Sequence, residues 1–153
     1  MITYIQLFVF ISFITYIVSK FGVLNSISES WYKLEENKKG MGILFTAFLW
    51  IVGFLMFFQT NGTSGFFFAS GTGLILVGAA TQYKQKMTGT VHVLGAFAGL
   101  VFPLIAVWYE RGFWLPVVVG LAVYLLSLII DIKNETWWLE ISMVMLILLG
   151  LLL

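Results

Sequence analysis

The sequence contains no cysteine, a single histidine and few charged residues. Its 153 residues include eight Lys and Arg and seven Asp and Glu, so that only 10% of the side chains are charged. A soluble domain carries about 25% charged residues, and this chain therefore cannot cover itself with a water-soluble surface. The absence of cysteine excludes disulfides, zinc–thiolate sites and thiol nucleophiles. The scarcity of charge excludes a soluble enzyme, a nucleic-acid-binding protein with a basic face and a disordered segment.

Apolar side chains, in contrast, make up 61% of the residues. Mostly apolar runs of about 17–25 residues predict membrane-spanning helices. Six such runs occur, at 2–18, 41–58, 65–81, 91–108, 113–130 and 137–153. Their length and the lack of strict alternation between apolar and polar residues argue against the strands of a membrane barrel. The sequence therefore predicts an all-α, multi-pass bundle of six transmembrane helices that forms one integral membrane domain, residues 1–153.

Basic residues are concentrated in alternate segments between the predicted spans. Seven of the eight lie in the segments 19–40, 82–90 and 131–136, and Arg111 is the exception. Because positively charged loops are retained in the cytoplasm, these three segments are predicted to be cytoplasmic and both termini extracytoplasmic. The first residues carry no basic side chain, so the first run is interpreted as an uncleaved span rather than a signal peptide.

The segment 26–39 is the most informative polar stretch. Ser26 and Glu29 have the spacing of a capping box, and Gly40 follows as a helix stop. The apolar residues of the segment share one helical face: Ile27, Trp31 and Leu34. We therefore predict an amphipathic helix on the cytoplasmic membrane surface, with this face among the lipid headgroups.

Capping does not account for all the polar residues of this segment, and an alternative is a polar pocket at the mouth of the bundle. His92 begins the fourth predicted span on the same side, and Glu140 lies about one turn inside the sixth. An ionisable residue within a span suggests a functional site, because its insertion costs about 2.5–3.5 kcal/mol. A polar stripe on the first span points to the same end: Ser12, Thr15, Tyr16 and Ser19. The candidate ligand-binding residues are Ser28, Glu29, Ser30, Tyr32, His92 and Glu140.

Two other interpretations of these residues stay open. Serine, histidine and glutamate are the minimum set for nucleophilic catalysis with His92 as the base, although no nucleophile-elbow sequence surrounds any of the serines. His92 could equally hydrogen-bond a neighbouring helix, and Glu140 could reach the interface. With Glu29 and Glu140, His92 supplies too few ligands for a usual zinc site, so we predict no metal and no cofactor.

Small residues are spaced for close helix packing in the third and fourth spans. Gly95 and Gly99 form a GxxxG motif, and Ala69 with Gly73 forms a similar pair. In lipid, such residues allow helix backbones to approach each other closely. The pattern predicts packing of these two spans within one chain, and a homo-oligomer formed through Gly95 and Gly99 is the alternative.

The order of the Ser-Ile-Ser-Glu-Ser segment at 26–30, a glycine-rich third span and His92 resembles small multi-span membrane proteins of unknown function. It is also similar to six-span proteins of the autophagy-modulator and GPI-remodelling-factor types. The resemblance covers roughly residues 1–130 and implies a topology and a candidate polar cluster, not a known reaction. Membrane hydrolases of the alkaline-ceramidase type need several histidines, whereas this chain has one.

These observations predict a non-enzymatic integral membrane protein that binds a lipid headgroup or a small amphiphile at the cytoplasmic mouth of its bundle. Membrane lipids are the expected partners, and no nucleic acid is expected. One alternative is a membrane-embedded hydrolase or transferase that uses the same serine, histidine and glutamate residues. A second alternative is a small transporter or assembly subunit.

Overall fold

The computed structural model describes residues 1–59, 65–81, 86–129 and 134–153, and all regular secondary structure in these ranges is α-helical. The helices are α1 (Ile2–Phe21), α2 (Glu29–Asn37), α3 (Ile43–Met56), α4 (Phe66–Ala79), α5 (Lys86–Arg111), α6 (Leu115–Ile129) and α7 (Glu135–Leu152). The all-α prediction is thus confirmed for this part of the chain. The predicted basic segments 82–90 and 131–136 lie partly outside the described residues.

Three helical segments are long and apolar enough to cross a membrane: α1, Thr88–Glu110 within α5, and α7. This finding is compatible with a membrane protein, but the predicted count of six spans is not supported. Helices α3 and α4 have 14 residues each and α6 has 15. At 1.5 Å per residue they extend about 21–23 Å, which is less than the hydrocarbon thickness of about 30 Å. The predicted run at 41–58 is longer than α3 because turns occupy both of its ends, and the run at 65–81 is longer than α4 because residues 65, 80 and 81 are not helical.

Five helices form a closed ring. Helix α1 packs on α3 and α7, α3 packs on α4, α4 on α5, and α5 on α7. Helix α6 packs outside the ring on α5 and α7, and α2 packs on α3. Aromatic residues fill the contact between α1 and α3, where the rings of Phe13 and Phe48 stack with centroids 4.1 Å apart. The ring is the frame that positions every residue of the candidate site.

Glycines bring α4 into backbone contact with both of its neighbours. A Cβ added to Gly53 of α3 would lie 2.7 Å from the carbonyl oxygen of Gly71, and one added to Gly73 would lie 2.6 Å from that of Gly95. Gly99 is also buried against α4. The predicted packing of the third and fourth runs within one chain is therefore present. A homo-oligomer formed through Gly95 and Gly99 remains an untested prediction, and both glycines are buried within the chain.

Hydrogen bonds from side chains to backbone carbonyls reinforce these glycine contacts. Thr46 Oγ1 donates to Gly78 O at 3.0 Å, and Ser70 Oγ donates to Gly99 O at 3.2 Å. Such bonds between helices stabilise packing where neighbouring apolar side chains gain little by leaving the lipid. The α3–α4–α5 side of the ring is thus held by close backbone contact and polar bonds together.

The amphipathic helix is shorter and placed differently from the prediction of 26–39. It covers Glu29–Asn37, because residues 26–28 form a turn before it and Lys38 has an extended backbone (φ −158°, ψ 124°). Ile27 and Leu34 are buried in the protein core, and Trp31 packs against that core. The predicted placement of this face among lipid headgroups is therefore wrong: the face covers one end of the helix ring.

A carboxylate clamp joins α2 to α3. The Glu35 carboxylate accepts hydrogen bonds from the backbone N–H groups of Gly40 at 2.9 Å and Gly42 at 3.1 Å. These two bonds lower the pKa of the Glu35 carboxyl below its ordinary value. Gly40 has a positive φ of 87°, which suits glycine in this tight connection. The clamp fixes the turn that leads from α2 into the ring.

We predict that Gly73→Ala destabilises the ring, because the new methyl group meets the Gly95 carbonyl oxygen at 2.6 Å. Overpacking of this kind costs about 1–3 kcal/mol. The matched control is Gly120→Ala on α6, where the nearest atom, Leu104 Cδ1, lies at 3.4 Å, an ordinary contact. This control should be neutral or stabilising, since alanine is the better helix former. Thermal unfolding in detergent compares the two, and equal melting temperatures would contradict the glycine contact.

Candidate ligand-binding cavity

The ring contains a partly open cavity of about 80 Å³ that is lined by residues from all five of its helices. The lining on α3 runs from Phe45 to Met56, which corresponds to about 16 Å of helix. A single water needs about 10–15 Å³ by this kind of measure, so the cavity is larger than one water site. It is an elongated, mostly apolar slot whose polar lining comes from Gln6, Ser28 and Glu140.

The turn at 26–28 closes one end of the cavity and is held there by two hydrogen bonds. Ser28 Oγ lies 2.8 Å from His92 Nε2 of α5. The backbone N–H of Ile27 donates to Glu140 Oε2 of α7 at 2.6 Å. Ile27, Ser28 and Glu140 also line the cavity. Helices α5 and α7 therefore hold the same turn from two sides, and we call residues 26–28 the closing turn.

His92 joins the closing turn to the end of α4. It is buried, and its Nδ1 lies 3.0 Å from the carbonyl oxygen of Ala80. Because a carbonyl oxygen only accepts, Nδ1 carries the proton in this hydrogen-bond network, and Nε2 of the neutral ring then accepts from the Ser28 hydroxyl. The hydroxyl and the imidazole thus have the orientation that a serine nucleophile and its base require.

Of the six candidate residues, Ser28 and Glu140 line the cavity, whereas His92, Glu29, Ser30 and Tyr32 do not. The Glu29 carboxylate accepts hydrogen bonds from the backbone and the side-chain amide of Asn25, each at 2.8 Å. The Ser30 hydroxyl donates to the Ile27 carbonyl at 2.6 Å. The Tyr32 ring packs edge-on against Trp31. Glu29 and Ser30 thus shape the start of α2, while Ser28, His92 and Glu140 converge on the closing turn.

The predicted capping box is wrong: α2 begins at Glu29, so its N-cap residue is Ser28 and not Ser26, and the Ser28 side chain makes no capping hydrogen bond. Ser26 Oγ accepts from the backbone N–H of Glu29 at 3.2 Å, as the spacing predicts. The Glu29 side chain, however, bonds Asn25 instead of reaching back to the N–H of Ser26. The hydrogen bonds of Ser26 and Glu29 therefore stabilise the closing turn and Asn25, and they do not cap α2.

The opposite end of the cavity contains a buried amide that the sequence analysis missed. Gln6 of α1 is fully buried, and its Oε1 accepts from Gln59 Nε2 at 2.8 Å. Gln59 also donates to Thr3 Oγ1 at 3.0 Å. Among the described residues, Gln6 Nε2 has no hydrogen-bond partner. An unsatisfied buried donor costs about 1–3 kcal/mol, and Gln6 is one of the residues that line the cavity.

A signal for this second polar end was present in the sequence. Gln6 is an amide inside the first predicted span, and Gln59 directly follows the second. The polar stripe singled out on the first span instead faces away from the cavity, because Ser12, Thr15 and Ser19 are exposed. The serine and threonine side chains of this stripe therefore do not mark the inside of the ring. Gln6, the single amide on the buried face of α1, does.

We predict an energetic coupling between Ser28 and His92 of about 0.5–1.5 kcal/mol, the range of a net intramolecular hydrogen bond. A double-mutant cycle with Ser28→Ala and His92→Phe, read from reversible unfolding in mixed micelles, measures it. The control cycle pairs His92→Phe with Ser19→Ala, because the exposed Ser19 hydroxyl donates to Tyr16 O in its own helix. Additive effects in both cycles would contradict a stabilising contact between Ser28 and His92.

Comparison with known proteins gives no external assignment for this cavity. No protein-family model, curated protein or solved structure matches the chain. The resemblance to six-span proteins of the autophagy-modulator and GPI-remodelling-factor types therefore stays a prediction. The function has to be argued from the cavity and its own polar residues.

Proposed function

We propose that this membrane protein binds a small amphiphile inside the helix ring, with the polar group of the ligand at the closing turn. The observation that carries the proposal is the distribution of polarity along the cavity. Apolar side chains line its length, and the polar side chains near the closing turn are Ser28 and Glu140. Ligand sites for small amphiphiles commonly combine a mostly apolar wall with a few placed polar groups.

The apolar wall favours a ligand with a hydrocarbon chain. Phe10, Leu49, Val52 and Val144 are among the lining residues, and the slot is long rather than round. Each methylene group buried from water contributes about 0.8 kcal/mol, so a medium-length chain suffices for measurable binding. At the closing turn, the Ser28 hydroxyl and the Glu140 carboxyl supply hydrogen-bonding groups for an alcohol or headgroup.

We propose further that α3, α4 and α6 lie in the bilayer with the three long helices, which makes the protein multi-pass with six embedded segments. Their ring and packing contacts with α1, α5 and α7 support this arrangement. Lys20, Lys38 and Lys39 are exposed at the end of the ring where α2 lies, and this charge favours a cytoplasmic position for that end. Both termini are then extracytoplasmic.

The absence of cysteine allows a direct test of this orientation. We expect Tyr4→Cys to react with a membrane-impermeant maleimide applied outside intact cells, because Tyr4 is exposed at the start of α1. Lys38→Cys, exposed after α2, should react only after the membrane is permeabilised. The unsubstituted chain gives the background. Labelling of Lys38→Cys in intact cells would overturn the proposed orientation.

Amphiphile binding is tested with decanol as the probe. At a concentration of 100 times its dissociation constant, a ligand stabilises the folded state by about 2.7 kcal/mol, which corresponds to about 5–10 °C in melting temperature. We expect Ala96→Leu to abolish this shift, because Ala96 lines the cavity and a larger side chain fills it. Ala122→Leu, on an exposed position of α6, is the matched control.

Two results would contradict amphiphile binding in the cavity. One is a decanol shift that persists in Ala96→Leu at the size seen in Ala122→Leu, since binding would then occur elsewhere. The other is an unchanged amount of co-purified lipid when Ser28→Ala and His92→Ala are compared with the unsubstituted chain, because these residues hold the closing turn.

A second candidate function rests on the Ser28–His92 contact. With Nδ1 held by Ala80 O, His92 Nε2 can take the Ser28 proton as Oγ attacks the carbonyl carbon of an ester. The same imidazole then protonates the leaving alcohol, and water releases the acyl group from Ser28. Since Ser28 also lines the cavity, the acyl chain of such a substrate has a place to lie.

The hydrolase alternative predicts covalent labelling of Ser28 by a fluorophosphonate probe. Labelling should disappear in Ser28→Ala and fall strongly in His92→Phe, because His92 is the base that would activate the hydroxyl. Ser19→Ala, at an exposed serine outside the cavity, should leave it unchanged. Absence of labelling in the unsubstituted chain with short- and long-chain probes would exclude a nucleophilic Ser28.

A further inference from the structure

Gln6 gives the cavity a second polar end that the proposed function does not use. We propose that the amphiphile bound in the ring carries a second, neutral hydrogen-bond acceptor, such as a hydroxyl, ether or carbonyl oxygen, which accepts from Gln6 Nε2. This inference rests on the proposed function and names its ligand class: a chain with a polar group at each end. The observation behind it is a fully buried cavity-lining amide whose donor nitrogen is unpartnered among the described residues.

The Gln6 amide is fixed in its orientation by its neighbours. Gln59 Nε2 donates to Gln6 Oε1 at 2.8 Å and to Thr3 Oγ1 at 3.0 Å. Because Gln59 uses its donors on these two oxygens, the acceptor of Gln6 is occupied and its own donor is left over. Buried amide groups are generally hydrogen-bonded, and because Gln6 lines the cavity, a molecule bound there can supply the remaining partner.

The chemistry of the missing partner follows from the lining. Gln6 is uncharged, and the described cavity lining contains no Lys or Arg. A carboxylate or phosphate at this end would be a buried charge without a counter-ion, which is strongly unfavourable. The group that accepts from Gln6 is therefore neutral. An oxygen on a hydrocarbon chain meets this requirement and lets the rest of the ligand contact the apolar wall.

The spacing of the two ends requires a chain of some length. Gln6 contacts Gln59 just beyond the end of α3, whereas the closing turn lies near the start of that helix. The lining on α3 extends over about 16 Å between these ends. One small polar molecule cannot satisfy both ends. Either a chain with two polar groups bridges them, or water occupies the end at Gln6 alone.

The test compares decanol with the matching α,ω-diol as probes, measured by thermal shift on the purified full-length chain in detergent. We expect the diol to bind about five- to tenfold more tightly, which is the effect of one net hydrogen bond. Gln6→Met removes the donor and keeps the length of the side chain, so this variant should bind the diol and decanol about equally. Thr3→Val breaks a bond in the same polar cluster but leaves Gln6 Nε2 in place, and should retain the preference.

A second measurement does not depend on the stability of a variant. In the unsubstituted chain labelled with nitrogen-15 at glutamine, the Gln6 side-chain amide resonances should move on addition of the diol more than on addition of decanol. Equal binding of the two probes, or a diol preference that survives Gln6→Met, would overturn the two-ended ligand while leaving amphiphile binding intact. Failure of both probes to bind would overturn both proposals.

Discussion

Close backbone contact between α4 and its two neighbours is the constraint on which the ring depends. Gly53 meets Gly71 on one side of α4, and Gly73 meets Gly95 on the other, so three helices pack at distances that side chains would not allow. Across the ring, α1 and α3 meet through phenylalanines such as Phe13, which hold the helices further apart. The ring is therefore packed closely through glycines at α3, α4 and α5 and through large aromatic rings between α1 and α3. We infer that this unequal packing leaves space at the centre of the ring, which is the cavity.

The polar groups of the cavity lie where the helix ring ends, because a membrane interior offers no water to satisfy them. At one end, the Ser28 hydroxyl bonds His92, and the Glu140 carboxyl accepts from the Ile27 N–H of the closing turn. At the other end, Gln6 and Gln59 form an amide pair that leaves one donor unused. The polar groups at the closing turn thus have hydrogen-bond partners within the protein, whereas Gln6 Nε2 at the other end has none among the described residues.

Sequence patterns predicted the helical class, and the apolar runs predicted at 2–18, 91–108 and 137–153 correspond to the three helices that could cross a membrane. Hydropathy predicted six spans because it cannot detect where a helix ends within an apolar run: turns at 41–42 and 57–58 shorten α3, and irregular residues at 80–81 shorten α4. The apolar face of α2 was predicted to lie among lipid headgroups because an amphipathic pattern shows only that one face is buried. The pattern does not show whether lipid or protein covers that face, and Leu34 is buried by the protein. Gln6 was missed because one amide in a long apolar run has no periodicity.

The double use of Ser28 and Glu140 explains why the closing turn matters for any function of the cavity. Both residues hold the turn through hydrogen bonds and also line the cavity that the turn closes. The Glu140 carboxyl already accepts from Ile27 N–H, and the Ser28 hydroxyl already bonds His92. Both groups have further acceptor positions, so a polar group that arrives from this end can bind without breaking the turn. Gln6 differs, because its donor nitrogen has no partner among the described residues, so an acceptor there satisfies a buried group that is otherwise unpaired.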